Sequence, residues 1–332
     1  MPRILTFAEA VGEALAEELR RDETVFLMGE DIAGAGGTFK VTVGLLEEFG
    51  AERVRDTPIA EAGIVGLGVG AALTGSRPVV EIMFGDFITL AMDQIVNQAC
   101  KLRYMSGGQA VVPLTIRTTM GAGRSSAAQH SQSLHAWFAH IPGIKVAIPS
   151  TPADAKGLLK AAIRDDNPCI IFEDKMMYRL EGEVPEEDYV IPFGLADIKR
   201  AGEDVTAVAT SSMVHIALEA ADILAGEGIS VEVVDPRTLV PLVTETIAQS
   251  VIKTGRAVII DEGHQKYGVT AEIASVIQQK AFDYLDAPIA RLGAADVPVP
   301  FSTSLEVETI PNAEKVVSAI KAMWGSAGKL RA

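Results

Sequence analysis

Residues 79–117, VVEIMFGDFITLAMDQIVNQACKLRYMSGGQAVVPLTIR, decide the fold class. Val79–Met83 is a short apolar run, as in a strand buried on both faces. From Ile88 to Met105 the apolar positions Ile88, Met92, Ile95, Ala99 and Leu102 recur at three- and four-residue steps, which predicts a long helix. Leu114–Arg117 then returns to a strand-like run. A helix between two buried strands is a crossover connection, and crossovers build mostly parallel sheets with helices on both faces.

The same alternation extends outward in both directions. Thr6–Arg20 carries Phe7, Ala10, Val11, Ala14 and Leu15 at helical spacing, followed by a strand-like Val25–Met28. Lys145–Ile148 and Cys169–Phe172 read as strands around a helix over Pro152–Arg164. The texture changes at Glu181–Pro192, EGEVPEEDYVIP, which is acidic, Pro-punctuated and without a sustained period. It closes a first α/β domain over residues 1–190. A second over 191–332 has strands at Val205–Thr210, Ser230–Val234 and Ala257–Asp261, and helices at Val214–Ala225, Thr244–Thr254, Thr270–Ala281 and Ala313–Met323.

Composition narrows the class. The 332 residues are 48% apolar and 22% charged, which suits a chain able to bury two cores. The net charge of −15 argues against nucleic acid, whose phosphates need clustered Lys and Arg, and suits docking to a basic protein. Cys100 and Cys169 are far apart in apolar company, with no disulfide framework or metal knuckle between them. No window reaches about 18 uninterrupted apolar residues, so no membrane span is expected. The N-terminus has neither a signal-peptide core nor a transit-peptide composition. A cytoplasmic location follows as the expectation.

Three constellations invite a chemical reading. Gly66-Leu-Gly68-Val-Gly70-Ala71 matches the loose dinucleotide pattern, which needs a strand immediately before it. Ile59–Val65 is not strand-like, so the small residues are read as a tightly packed helix instead. His130, His135 and His140 recur at steps of five and so lie on differing helical faces, with no Cys, Asp or Glu among them. That is a poor zinc set. His130 stands apart because it follows the Gly-rich stretch Met120–Ala128 after a strand, where active-site loops lie. Glu61, in DTPIAEAG, has two readings. It is a desolvated carboxyl fit to share a proton with a basic ring nitrogen, or a first-turn Glu favoured by the helix dipole. There is no G-x-S-x-G elbow, no Walker loop and no cysteine set for an iron–sulfur cluster.

Taken together, LTFAEAVGEAL, VFLMGEDIA, DTPIAEAGIVGLGVGAAL, RPVVEIMFGDF, MDQIVNQACKLRYM, AAQHSQSLHAWFAHIPGIKV, STPADAKGLLKAAIRDDNP, VEVVDPRTLVPL, GVTAEIA and VPVPFSTSLE run almost end to end. They resemble the β chain of the thiamine-diphosphate-dependent, decarboxylating first component of 2-oxo acid dehydrogenase complexes: pyruvate, branched-chain and acetoin types. The resemblance implies a pyrimidine-binding α/β domain followed by a transketolase C-terminal-like α/β domain. Glu61 would contact the cofactor's pyrimidine ring nitrogen. Phe87 in MFGDF would pack on the ring, and Glu30 in MGEDIA would support proton movement near it. His130 in QHSQ would face substrate and the incoming lipoyl group. A structural potassium ion would sit among Leu114, Ala162, Ile163, Asp165 and Asn167.

These enzymes hold the diphosphate through magnesium bound at a GDG motif followed later by Asn. No GDG occurs in these 332 residues. In this family it belongs to the α chain, so the resemblance implies an α2β2 enzyme whose α chain holds magnesium, and a dihydrolipoyl acyltransferase core as a further partner. IRTTMGAG with AAQHSQ leans toward acetoin- and pyruvate-type chains, with the branched-chain type as the alternative. A transketolase-like enzyme carries its own GDG; a non-catalytic interaction subunit would leave Glu61 and Phe87 dispensable. One departure stands out: Val243 replaces the Asp often found after PRTLVPL, at the cost of a helix N-cap or a surface contact. His264 lies in a stretch that varies among members, and no role is assigned to it.

Overall fold

The structure, a computed structural model, describes residues 3–330, with side chains through Trp324. It divides into two compact units. The first runs to Met120 and resumes over Trp137–Phe193; the second takes Gly121–Ala136 and the chain from Gly194 onward. The expected boundary at 190/191 therefore differs from the observed one. The chain changes unit at Phe193/Gly194, and Gly121–Ala136, expected within the first domain, packs with the second. The reason is local: the backbone amides of Ala122, Gly123 and Ser125 bond to carboxylates of Glu262 and Glu306, far along the chain.

The first unit contains strands β1 (Arg3–Thr6), β2 (Val25–Gly29), β3 (Val54–Asp56), β4 (Arg77–Ile82), β5 (Thr115–Met120), β6 (Lys145–Ala147), β7 (Cys169–Asp174) and β8 (Glu181–Val184). Its sheet runs β6-β7-β5-β4-β2-β3 with every neighbouring pair parallel, and β1 pairs antiparallel with β8 apart from it. β2, β5 and β7 are buried along their whole length, as central strands between two helical layers are, even where β5 and β7 carry polar side chains.

Helix Phe7–Arg21 starts on a capping box. The Thr6 hydroxyl accepts from the Glu9 amide, and the Glu9 carboxylate accepts from the Thr6 amide. Its face of Phe7, Val11, Ala14, Leu15 and Leu19 enters the core with Leu158, Leu159 and Ala162 of helix Pro152–Arg164. Lys156 and Lys160 are fully buried there, and each is matched to carboxylates: Glu13 and Glu17 for Lys156, Glu17 and Asp188 for Lys160. Arg164 pairs with Glu18 at 2.6 Å. An unpartnered buried ammonium is strongly unfavourable, so this ion-pair ladder is what makes two lysines tolerable inside.

Helix Glu61–Leu73 carries the glycine cluster that imitates a dinucleotide loop. The pattern lies inside the helix, not in a turn after a strand. A Cβ at Gly68 would stand 2.9 Å from Val80 Cγ1 and 3.0 Å from Leu114 Cδ1, so the glycine is where the helix lies closest to the sheet. The expected long helix over Ile88–Met105 is a correction. The segment is a 3₁₀ stretch Gly85–Ala91, a π-helical stretch Gln94–Ala99 and a short α-helix Cys100–Met105. Ile88, Ala91, Ile95 and Ala99 still point into the core. Apolar spacing reports which side faces inward; it does not report how tightly the backbone is wound.

The second unit adds β9 (Asp197–Arg200), β10 (Val205–Ala209), β11 (Val231–Asp235), β12 (Thr238–Val240), β13 (Ala257–His264) and β14 (Ala290–Ala294). Its sheet runs β14-β13-β10-β11-β9, parallel except for the antiparallel edge strand β9. Helices Met213–Ala225 and Ala313–Leu330 contribute to one apolar cluster, and Thr244–Thr254 with Val269–Ala281 to another. The predicted strands and helices of this half are present; β9, β12, β14 and helix Thr303–Thr309 were not anticipated.

Candidate functional site

In a parallel α/β sheet, ligands bind beyond the carboxyl ends of the strands. Gly29 and Asp56 pair at the carboxyl ends of β2 and β3, and β4 lies on the other side of β2. Glu30 follows β2 directly, Glu61 follows β3 after the short link 57–60, and Phe87 follows β4. Three of the sequence-predicted residues thus come from the ends of adjacent strands.

The links between them are held by specific bonds. Asp56 accepts from the amides of Ala33 at 2.7 Å and Gly34 at 3.3 Å, fixing the loop that follows Glu30. The Thr57 amide donates to the Gly29 carbonyl at 2.9 Å. Glu61 opens its helix with Ala60 at the N-cap, where no side chain caps the first amides. A carboxylate in that turn is favoured by the helix dipole. The side chain is 9% exposed, yet among the described residues its carboxylate makes no hydrogen bond or ion pair. Glu30 is half-buried, and its carboxyl is pushed above the ordinary range by desolvation, then by the charges of Asp31 and Glu61.

Phe87 sits in the 3₁₀ stretch that begins at Gly85. A Cβ on Gly85 would be 2.3 Å from the Thr119 carbonyl, so only glycine lets the chain turn over β5 at that point. The Phe87 ring is half-buried and meets Phe84 edge-on, with centroids 6.3 Å apart. Phe84 meets Phe39 in turn, and Phe39 stacks on Tyr178. This aromatic chain fixes the ring and leaves part of it exposed.

Beneath these ends lies a group that the sequence reading missed. Arg117 of β5 is 2% exposed and donates to Glu81 of β4 at 2.6 Å and, through two nitrogens, to Glu173 of β7 at 2.8 Å each. The Tyr178 hydroxyl donates to Glu173 at 2.7 Å. Desolvation, opposed by Arg117, leaves Glu81 raised above the ordinary carboxylate range. The only sequence signal was a charged residue in each of three buried strands.

His130 ends a short 3₁₀ turn, Ala128–His130, in the segment that belongs to the second unit, and it is half-buried. His135 is fully buried, with Nε2 at 3.0 Å from both carboxylate oxygens of Asp261; His140 is exposed. The exposed His264 places Nδ1 2.8 Å from the Ala295 carbonyl.

The five residues expected to hold potassium border one turn. Arg77 Nη1 donates to the carbonyls of Ile163 at 3.2 Å and Asp165 at 3.0 Å. The Leu114 carbonyl accepts from the Cys169 amide, the Ala162 carbonyl from the Asp165 amide, and the Asn167 carbonyl from the Cys169 thiol. Each of the five carbonyls thus has a donor, the Arg77 guanidinium for two of them, and a set made only of oxygens is the chemistry that a hard monovalent cation takes.

Comparisons with known proteins identify the two domains. Residues 4–181 match the transketolase pyrimidine-binding domain and residues 194–316 the transketolase C-terminal domain. A solved structure described as a split-gene transketolase, an inactive β4 tetramer, superposes with a TM-score of 0.79 at 25% identity, covering 96% of this chain and 98% of that one. A pyrimidine-binding domain and a C-terminal domain of the transketolase type are therefore both present.

The relatives are more specific. The β subunit of acetoin:2,6-dichlorophenolindophenol oxidoreductase from Bacillus subtilis is 50% identical, over 98% of each chain. The β subunit of the pyruvate dehydrogenase first component from Rhizobium meliloti is 51% identical, over 96% of this chain and 70% of that one. The 2-oxoisovalerate dehydrogenase β subunit of Bacillus subtilis is 45% identical, over 96% of this chain and 98% of that one. The chain belongs to the family of first-component β subunits of pyruvate, acetoin and branched-chain 2-oxo acid dehydrogenases.

Proposed function

We propose that this chain is the half of a pyruvate- or acetoin-type dehydrogenase that activates thiamine diphosphate, within an α2β2 enzyme whose α chain holds magnesium and the diphosphate. The observation that carries the reading is Glu61: a largely buried residue whose carboxylate takes no protein hydrogen-bond partner among the described residues, at the uncapped start of a helix beyond the strand ends. Such a group fits a protonated ring nitrogen.

When bound, the cofactor supplies an electron sink for the carbanion left by decarboxylation. The rest is the work of this chain's residues. Glu61 holds a proton at its carboxyl oxygen, facing the ring nitrogen. Glu30, already shifted toward its protonated form, stores a second proton nearby. Phe87 offers a fixed apolar face for a flat ring and keeps water from it. His130 faces substrate and the lipoyl group that accepts the acyl unit. Leu114, Ala162, Ile163, Asp165 and Asn167 hold a structural potassium ion.

The surface supports a partnered chain. Ile59, Leu67, Leu90, Tyr104 and Met105 are between 62% and 90% exposed, and a lone soluble chain seldom displays so many large apolar side chains on neighbouring elements. Ala91 and Ala99 of the same segment are buried in the chain's own core, so Leu90, Tyr104 and Met105 are the side chains it offers to a partner. The acidic balance fits docking of the second domain to a basic module of an acyltransferase core, an association that salt should weaken. A cytoplasmic location accords with the two free, buried cysteines. Among the described residues no helix is long and apolar enough to cross a membrane.

Calorimetry tests the reading. The chain alone should bind thiamine diphosphate and magnesium poorly, in keeping with a neighbour described as an inactive β4 tetramer. Mixed with its α chain it should show two sites per tetramer. Tight magnesium-dependent binding to the chain alone would reject the division of labour.

A further inference from the structure

The stretch VPVPFSTSLE ends in Glu306, for which the proposed chemistry has no use, and the same holds for Glu262 of β13. Both are buried carboxylates, 1% and 6% exposed, and both point at the segment that carries His130. Glu306 accepts from the Gly123 amide through one oxygen at 2.8 Å and from the Ser125 amide through the other at 2.9 Å. Glu262 accepts from the Ala122 amide at 2.6 Å. Ser125 Oγ lies 2.8 Å from Thr303 Oγ1, which ties the same turn to the helix bearing Glu306.

The backbone they hold is one that the chain would not keep unaided. Ser125 and Ala127 have φ of 51° and 59°, and Gly121 and Gly123 have φ of 99° and 94°. Side-chain-bearing residues avoid that region. Successive amides turned to one side by such angles form a concave nest for an anion. Here the anion is a carboxylate of the protein itself. Downstream, the buried His135 is bonded to Asp261, so the segment is pinned on both sides of His130.

We propose that Glu306, seconded by Glu262, is a positioning residue for His130: it holds the loop of residues 121–130 in the one conformation that aims the imidazole. This rests on His130 facing the substrate, as proposed above. It assigns no chemistry to Glu306, which binds the amides of Gly123 and Ser125 and, at 3.4 Å, the Ser125 hydroxyl.

Glu306→Gln is the test, in the full chain assembled with its α partner. A carboxamide has one acceptor oxygen and sets an NH2 against the second amide, so one of the two bonds is lost with little change of volume. Amide exchange across residues 121–130 should quicken while that of the sheet stays as in wild type. With a lipoyl acceptor, kcat should fall about 10- to 100-fold with the substrate KM little changed, because misplacing a group by about 1 Å costs that order. Glu262→Gln should do the same more weakly, and it serves if Glu306→Gln does not assemble. His130→Ala separates the two ideas. If His130→Ala is inactive but Glu306→Gln keeps full kcat, or keeps wild-type exchange in the loop, the positioning role is wrong and the His130 reading survives. If His130→Ala keeps full kcat, both fall.

Discussion

Glu30 and Glu61 stand beyond the paired ends of β2 and β3, and the Glu61 charge adds to desolvation and Asp31 in holding the Glu30 carboxyl above its ordinary range. A carboxyl held this way takes up a proton more readily than one in water, which suits Glu30 to proton movement beside the site.

Glu61→Gln in the assembled enzyme should leave the fold and most cofactor affinity intact. Exchange of the cofactor's thiazolium proton with deuterated water should slow by about 10²–10⁴-fold, the usual worth of a positioned acid or base. Glu61→Asp should recover little, because one methylene withdraws the carboxyl from the ring nitrogen. Glu23→Gln, at an exposed position, is the control and should exchange at the wild-type rate. Wild-type exchange in Glu61→Gln would overturn the assigned role.

The raised Glu30 carboxyl makes a statement about stability. Its folded pKa lies above its unfolded value, so its contribution is fully present below about pH 4 and lost as pH rises through the folded pKa. Glu30→Gln removes that loss. The variant should melt slightly higher than wild type at pH 7, and the two should converge on acidification below the unfolded pKa. A variant that melts lower at every pH would show that Glu30 makes a net favourable contact.

Arg117→Met should destabilise the first domain by about 3–5 kcal/mol, since it leaves Glu81 and Glu173 as buried carboxylates without their cation. Urea unfolding measures this. Adding Glu81→Gln should restore part of the loss, because one of the stranded charges is then gone. If the single variant is no less stable than wild type, the network is dispensable.

Val243 occupies the N-cap of helix Thr244–Thr254, and its side chain offers the helix no acceptor. Val243→Asp should therefore stabilise the second domain by about 1 kcal/mol through a cap to the first-turn amides. The gain should appear as a higher urea midpoint with an unchanged slope, and it should fade as the new carboxylate is protonated.

Much of the architecture was legible because burial writes itself into residue order. Alternating apolar runs and three- to four-residue apolar steps gave the central strands and most of the long helices of both domains, and the broken period at 181–192 lies next to the observed change of unit. Glu61 was legible as a desolvated or first-turn carboxyl before a small-residue helix, whereas Glu30 and Phe87 became candidates only through the family resemblance. What residue order could not carry was winding and cross-chain pairing. Ile88–Met105 keeps its apolar stripe whether wound as α, 3₁₀ or π, so the sequence could not separate these.

The sequence by itself determined two mostly parallel α/β domains and most of their central strands, since these depend on local spacing and on which side chains avoid water. Only the tertiary structure decided that Arg117 joins Glu81 to Glu173 across three strands. It alone moved Gly121–Ala136 into the second unit, held there by Glu262 and Glu306. These are hydrogen bonds between residues 36 to 183 positions apart. No local period encodes such a bond, because its partners meet only when the sheets are assembled.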